Sequence, residues 1–403
     1  MDSASLTRIQ TKRNILALQL SETASFGYLF SIPVMIDYVD RYTAGGEEVY
    51  FFLATLMNIV GIVFALFLGA YSDLFKRKNM MIIGACLRFL GWTIFALFPG
   101  YWMFLSGFIL HVIAHSCTKS SACLYETMQA AGQAGAYRRT EKSLHAIPQY
   151  ILMFGFPLSG FLYTIAGYWP FVMNAVFCLF SIVLLCYYTE APRLKPDHGS
   201  VLKLIKDVLV YLRTRRSLRW LTLYGGLTLG MGYMIIFLVQ AGFYAAGGSV
   251  LLFSMIMPFF YLLRAISAQH SDFFFRGETH NKANIRGLTI ITLGLGAALL
   301  FAGMAPNLYL YIAFVFIYMA FHGMMNPAFN FVYNDALSSD MRATAFAAKV
   351  IVMRLSAICL NVMAGCFFLW IGAQETVSLF GGLFFTLSLG LIWLYARNLS
   401  QRG

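Results

Sequence analysis

Charge is scarce in this chain. Of its 403 residues only 11% are Asp, Glu, Lys or Arg, against about 25% in a soluble globular domain. Acids are the scarcer sign, 17 against 29 Lys and Arg, and the net charge is +12. The seven cysteines all fall within apolar stretches. No disulfide framework is implied, and each reads as a small buried hydrophobe. No G-x4-G-K-(S/T) phosphate loop occurs, so the chain has no recognisable ATPase site. No basic domain stands apart to hold a nucleic acid. Nor does a dense His/Asp/Glu motif gather near a membrane face, which leaves a polytopic membrane enzyme using His111 and His115 as a remote alternative.

Apolar residues fill the space that charge leaves. They make up 60% of the chain, aromatics 17%, and the mean hydropathy is +0.71. Crossing a bilayer takes about 20 apolar residues per helix, so twelve helices need roughly 240. The sequence predicts spans at 14–37, 48–71, 79–98, 102–125, 144–166 and 169–189, then at 218–241, 249–269, 286–304, 308–332, 346–370 and 376–396. The first span contains Glu22, lacks a small-residue cleavage site and is followed by others, so it does not read as a signal peptide. With a cytoplasmic N-terminus nearly all Lys and Arg fall on the cytoplasmic side. Arg41 stands outside, and Arg88, Lys119, Arg264 and Arg354 lie within spans. That asymmetry follows the positive-inside rule. It puts both termini in the cytoplasm and explains the net charge by topology and contact with anionic lipid.

Residues 190–217 interrupt the apolar pattern with two prolines, a glycine and many bases. From Val201 the segment turns amphipathic, with Val201, Leu204, Ile205, Val208 and Leu212 at helical spacing. It divides the chain into an N-terminal bundle, 1–189, a cytoplasmic linker, 190–217, and a C-terminal bundle, 218–403. The halves repeat one another. Pro99-Gly100-Tyr101 before the fourth span parallels Ala305-Pro306-Asn307 before the tenth, and Tyr125-Glu126 parallels Tyr333-Asn334-Asp335. Internal repeats of this kind mark two pseudo-symmetric six-helix bundles sharing a central cavity.

Between the second and third spans the chain reads Gly69-Ala-Tyr-Ser-Asp73-Leu-Phe-Lys76-Arg77-Lys78. The pattern G-x-x-x-D-x-x-(K/R)-(R/K)-(R/K) resembles the loop signature of the major facilitator superfamily of secondary transporters. Ser271-Asp272 to Arg286 holds the equivalent place in the second half as a degraded copy. Leu124-Tyr-Glu-Thr-Met128 with Tyr137-Arg-Arg139, the stretch Gly160 to Phe171, and Arg342-Ala-Thr344 resemble loops and junctions of the drug-efflux-like members. Two departures stand beside these likenesses. No Arg occurs between Trp102 and Met128, and the antiporter signature of the fifth helix survives only as Gly155-Phe-Pro157-Leu-Ser-Gly160. The resemblance implies an all-α fold of twelve transmembrane helices, with the first, fourth, seventh and tenth lining the cavity. It also implies that Asp73 and Arg77 join charge contacts that close the cytoplasmic side, with Gly69, Glu126 and Arg342 part of the same conformational gate. Asp73 precedes a helix start, where a negative charge suits the helix dipole.

Polar groups inside a bilayer are costly, so each invites an explanation. His111, His115 and Lys119 recur at four-residue steps and share a face of the fourth span, as do His322, Asn326, Asn330 and Asn334 on the tenth. Tyr233 and Gln240, seven residues apart, share a face of the seventh. Glu22 lies about nine residues, or about 13 Å, from the cytoplasmic end of the first span. Lys119 lies at similar depth, so the two form a candidate pair. Burial disfavours a carboxylate's charge and a nearby ammonium favours it, so a carboxylate held between these effects can load and release a proton. A fixed structural ion pair is the other reading of Glu22. The histidines and asparagines read either as solute contacts or as hydrogen bonds between helices, and no third ligand completes a metal site with the histidines. The expectation is a monomeric, proton-coupled secondary transporter of a small organic solute, set among lipids of the cytoplasmic (inner) membrane, without cofactor or metal. Efflux is slightly favoured, and import of a nutrient or of a metal–siderophore chelate is the alternative.

Overall fold

The structure is a computed structural model. It describes residues 8–43, 45–46, 48–71, 76–117, 120–133, 137–190, 206, 210–211, 213–271, 273–275, 280–337 and 342–400. Among the described residues there are helices and no strands. In chain order they are α1 (Arg8–Ser25), a 3₁₀ helix (Phe26–Val34), α2 (Met35–Thr43), α3 (Glu48–Tyr71), α4 (Arg77–Leu97), α5 (Tyr101–Cys117), α6 (Ser120–Ala130), α7 (Tyr137–Ile165) and α8 (Trp169–Tyr187). The second half holds α9 (Arg216–Ala245), α10 (Val250–Gln269), a 3₁₀ turn (Phe273–Phe275), α11 (His280–Gly303), α12 (Leu308–Asp335), α13 (Arg342–Ile371) and α14 (Ala373–Ser400).

Nine segments among the described residues are helical, long and apolar enough to cross a membrane, and Glu48–Phe64, Tyr101–Cys117 and Tyr150–Ile165 are shorter apolar helices. Together they match, one for one, the twelve spans expected from hydropathy. The protein is therefore an all-α, multi-pass membrane protein. Its surface agrees: Phe154, Tyr309 and Trp370 are 82%, 84% and 77% exposed, which water would penalise and hydrocarbon would not. Glycines end two of the spans. Gly247 (φ +91°) and Gly372 (φ +88°) take the left-handed backbone that ends α9 and α13, a conformation strained for any residue with a Cβ.

One element departs from a plain helix. The first span runs from Ile9 to Thr43, and its middle nine residues, Phe26–Val34 with Pro33 inside, wind as 3₁₀ helix. In the fourth span α5 ends at Cys117 and α6 starts at Ser120, and residues 118–119 lie outside the described residues. Of the amphipathic segment expected from Val201, only residues 206, 210, 211, 213 and 214 are described; they are helical, with Tyr211 buried and Val210 exposed.

Contacts gather the chain into two compact units, Met1–Ala44 with Ile59–Val201, and Gly45–Asn58 with Leu202–Gly403. In the first, a cluster of Ala17, Leu18, Met81, Ala85, Cys123, Leu124, Met128, Leu144, Leu185 and Tyr188 joins α1, α4, α6, α7 and α8. At the opposite end of that unit Tyr38 packs 4.2 Å from Phe171 and donates to the Phe95 carbonyl at 2.8 Å. In the second unit the start of α3 is held by aromatic contacts, Tyr50 4.3 Å from Phe237 and Phe51 stacked 5.0 Å from Phe368. All seven cysteines are free thiols.

Candidate functional site

Glu22 sits near the end of α1, just before the 3₁₀ segment, and is buried. The Ser120 hydroxyl, at the first residue of α6, donates to Glu22 Oε2 at 2.5 Å. A hydroxyl that donates to a buried carboxyl group offsets part of the cost of burying it. Beside it Ser181 of α8 bonds Ser21 at 2.9 Å and Ser25 at 3.1 Å. The expected partner, Lys119, lies outside the described residues.

A second polar cluster closes one end of this unit. Arg77 Nη1 meets Glu126 Oε1 at 2.7 Å, with the two side chains 19% and 17% exposed. The first amides of α4 point at Glu190: Arg77 N–H donates to Oε1 at 2.9 Å and Lys78 N–H to Oε2 at 3.4 Å. The first amides of a helix have no intrahelical partner and carry the positive end of the dipole, so a carboxylate is stabilising there. Lys78 answers at the other polarity, donating from Nζ to the Cys186 carbonyl at the C-terminal end of α8 at 2.8 Å. Asn14 of α1 then pairs with Thr189 twice, donating to its carbonyl at 2.7 Å and accepting from its amide at 3.0 Å. Residues 186–190 thus tie α1, α4 and α8 together. Sequence reading names Arg77 and Glu126 but misses Glu190 and Asn14. Gly69 falls within α3, Asp73 lies outside the described residues, and Arg342 is the first residue of α13.

The two histidines of α5 differ in setting. His111 is half-buried with its ring 5.4 Å from Trp92, whereas His115 is exposed. At the far end of the unit Asp37 accepts from the Tyr163 hydroxyl and pairs with Arg41 at 3.3 Å, and Arg41 lies over the Tyr163 ring at 5.2 Å.

In the second unit α12 carries the polar row. His322 is half-buried, stacked on Tyr318 at 5.5 Å. Asn326 is exposed and Asn330 half-buried, and Asn330 Nδ2 donates to Asn326 Oδ1 at 3.3 Å. Lys349 of α13 is buried and donates from Nζ to Asn330 Oδ1 at 3.1 Å. Its ammonium lies 5.7 Å from the Phe329 ring and 5.8 Å from that of Tyr333, within cation–π range. Lys349 is a further residue that sequence reading misses. Of the pair expected on α9, Tyr233 is 60% exposed, while Gln240 is fully buried and donates to the Tyr244 hydroxyl at 2.8 Å. No cluster of three or more His, Cys, Asp or Glu suited to a metal occurs among the described residues. An open groove of about 580 Å³ between α11 and α14 is lined mainly by apolar side chains such as Leu300, Met304 and Leu383.

The chain is similar to proteins of known family and structure. The sequence profile of the Major Facilitator Superfamily matches residues 149–359. Among solved structures, the nucleoside transporter NupG superposes with a TM-score of 0.72 at 13% identity, covering 94% of this chain and 99% of its own. A peptide transporter, POT, gives 0.71 at 14% identity, with 95% and 94% covered. The human organic anion transporter MFSD10 (TETRAN) gives 0.61 at 15% identity, with 95% and 99% covered. No curated protein matches the sequence.

Proposed function

The chain belongs to the major facilitator superfamily, and on that premise we propose that it is a proton-coupled secondary transporter of a small organic solute. It works by alternating access, as a monomer of two six-helix bundles, 1–189 and 218–403, joined by the linker 190–217. The positive-inside pattern favours the cytoplasmic membrane with both termini in the cytoplasm.

Glu22 carries the coupling. It is a buried carboxylate in the first span, held by Ser120 and adjoining a serine cluster. An intramembrane acid in such a place is costly to keep charged, and a change of exposure during transport alters that cost. Lys119, next to Ser120, is the positive partner that resets it. The solute is met by His111 and His115 in the first half and by Tyr233, Gln240, His322, Asn326 and Asn330 in the second. The Arg77–Glu126 pair, with Asp73, Gly69 and Arg342, forms the gate that breaks and reforms. Efflux is preferred because the loop signatures resemble drug-efflux-like members. The partial antiporter signature at Gly155–Gly160 favours import of a nutrient or a metal–siderophore chelate as the second reading.

The test is proton movement. Vesicles holding the purified protein and the pH dye pyranine receive a panel of candidate solutes under an imposed pH gradient. A solute that moves protons with the wild type should lose that coupling, by about tenfold or more, in Glu22→Gln, while solute exchange without a gradient persists. Undiminished coupling in Glu22→Gln would remove Glu22 from the proton path.

A further inference from the structure

Lys349, Asn330 and Asn326 form a chain with a fixed direction. A lysine ammonium has three donors and no acceptor. The amide of Asn330 must therefore turn its oxygen to Lys349, and the 3.1 Å contact is Nζ to Oδ1. The Asn330 NH₂ is then left to face Asn326, and it donates to Oδ1 at 3.3 Å. Asn326 in turn keeps its NH₂ open as a donor, beside the second lone pair of its Oδ1. The order of burial follows the chain: Lys349 buried, Asn330 half-buried, Asn326 exposed. Asn326 Nδ2 donates to no other group among the described residues.

Such a chain is polarised from its charged end, and linked hydrogen bonds strengthen one another in a low-dielectric setting. Its open end is a donor backed by a positive charge, which suits an acceptor and repels a cation. Phe329 and Tyr333 hold the ammonium from the side. On helix geometry His322 lies one turn from Asn326 on the same face, with its ring stacked on Tyr318. An aromatic surface therefore flanks the donor.

We propose that Asn326, Asn330 and Lys349 form a receptor for the acidic group, carboxylate or phosphate, of an organic solute. This assignment rests on the transporter reading and narrows it to anionic solutes. Lys349 supplies the charge, Asn330 relays it and fixes its direction, and Asn326 makes the contact.

Full-length protein in detergent is titrated with benzoate, hexanoate and phenyl phosphate, each against its uncharged counterpart (benzamide, hexanamide and phenol), while the unfolding midpoint is followed. At least one acid should raise the midpoint where its counterpart does not. Asn326→Asp turns the terminal donor into an acceptor and should weaken that acid by about tenfold or more, the scale of a lost charged hydrogen bond. Lys349→Gln should do the same, and Lys349→Arg should retain the response. If Lys349→Gln does not fold, the exposed Asn326 decides. Equal response to acids and counterparts, no response to any acid, or unchanged affinity in Asn326→Asp overturns the receptor. Proton-coupled flux that persists without acid selectivity sinks this assignment and spares the transport reading. Acid binding of the expected pattern in a protein that moves no solute upholds the receptor and sinks the transport reading.

Discussion

Arg77 and Glu126 meet at 2.7 Å with less than a fifth of either side chain exposed. Water screens such a pair less than it screens one at an open surface. A double-mutant cycle with Arg77→Gln and Glu126→Gln should therefore return a coupling of about 1–2 kcal/mol, within the range for residues in contact. Denaturant unfolding of the purified protein measures it, and a coupling near zero would reduce the pair to an indifferent surface contact. These two residues are legible in the sequence because each sits in a recognisable loop pattern. Glu190 is not, since it reaches Arg77 across 113 positions and no local spacing announces a cap from so far away. Lys349 is hidden for another reason. It follows Arg342 by about two helical turns, so it reads as part of a basic flank, and only the packing of Phe329 and Tyr333 reveals that it is buried.

Helix contacts set the next scale. A Cβ on Gly226 would stand 2.3 Å from Val352 Cγ1, and one on Gly230 2.8 Å from the Met353 carbonyl oxygen. The backbones of α9 and α13 thus touch, as small residues allow between membrane helices. Gly230→Val should force them apart and lower stability by about 1–3 kcal/mol, the usual cost of overpacking. A thermal unfolding series reads this directly, and a midpoint equal to wild type would show that α13 yields freely. At the start of α4, Glu190→Ala removes the acceptor for two amides and should cost about 1 kcal/mol, seen as a smaller midpoint shift. The elements themselves are legible, because apolar length alone fixes where a helix must cross lipid. Their irregularities are not. Phe26–Val34 is more apolar than the α-helices on either side of it, and hydropathy has no means of telling one hydrogen-bond register from another.

Over the whole molecule, charge counting sets an expectation for orientation, with both termini in the cytoplasm. A fluorescent protein fused after the last residue should fluoresce, and alkaline phosphatase fused after Gly46 should be active. The reverse pair of results would invert the topology and place the Arg77–Glu126 cluster on the outer side. Two halves are read from the repeated motifs of the sequence. The grouping of Gly45–Asn58 with the second unit is not, because it comes from ring contacts of Tyr50 and Phe51 with Phe237 and Phe368 rather than from any motif. The broken first span adds a matter of reach. A 3₁₀ helix rises about 2.0 Å per residue and an α-helix about 1.5 Å. Nine residues, Phe26–Val34, therefore cover about 18 Å in the one form and about 13.5 Å in the other. Rewinding that segment would draw α1 and α2 together by about 4.5 Å, close to one helical turn. It would also rotate Glu22 relative to Asp37, so the span that carries the acid has a stroke stored in its own backbone.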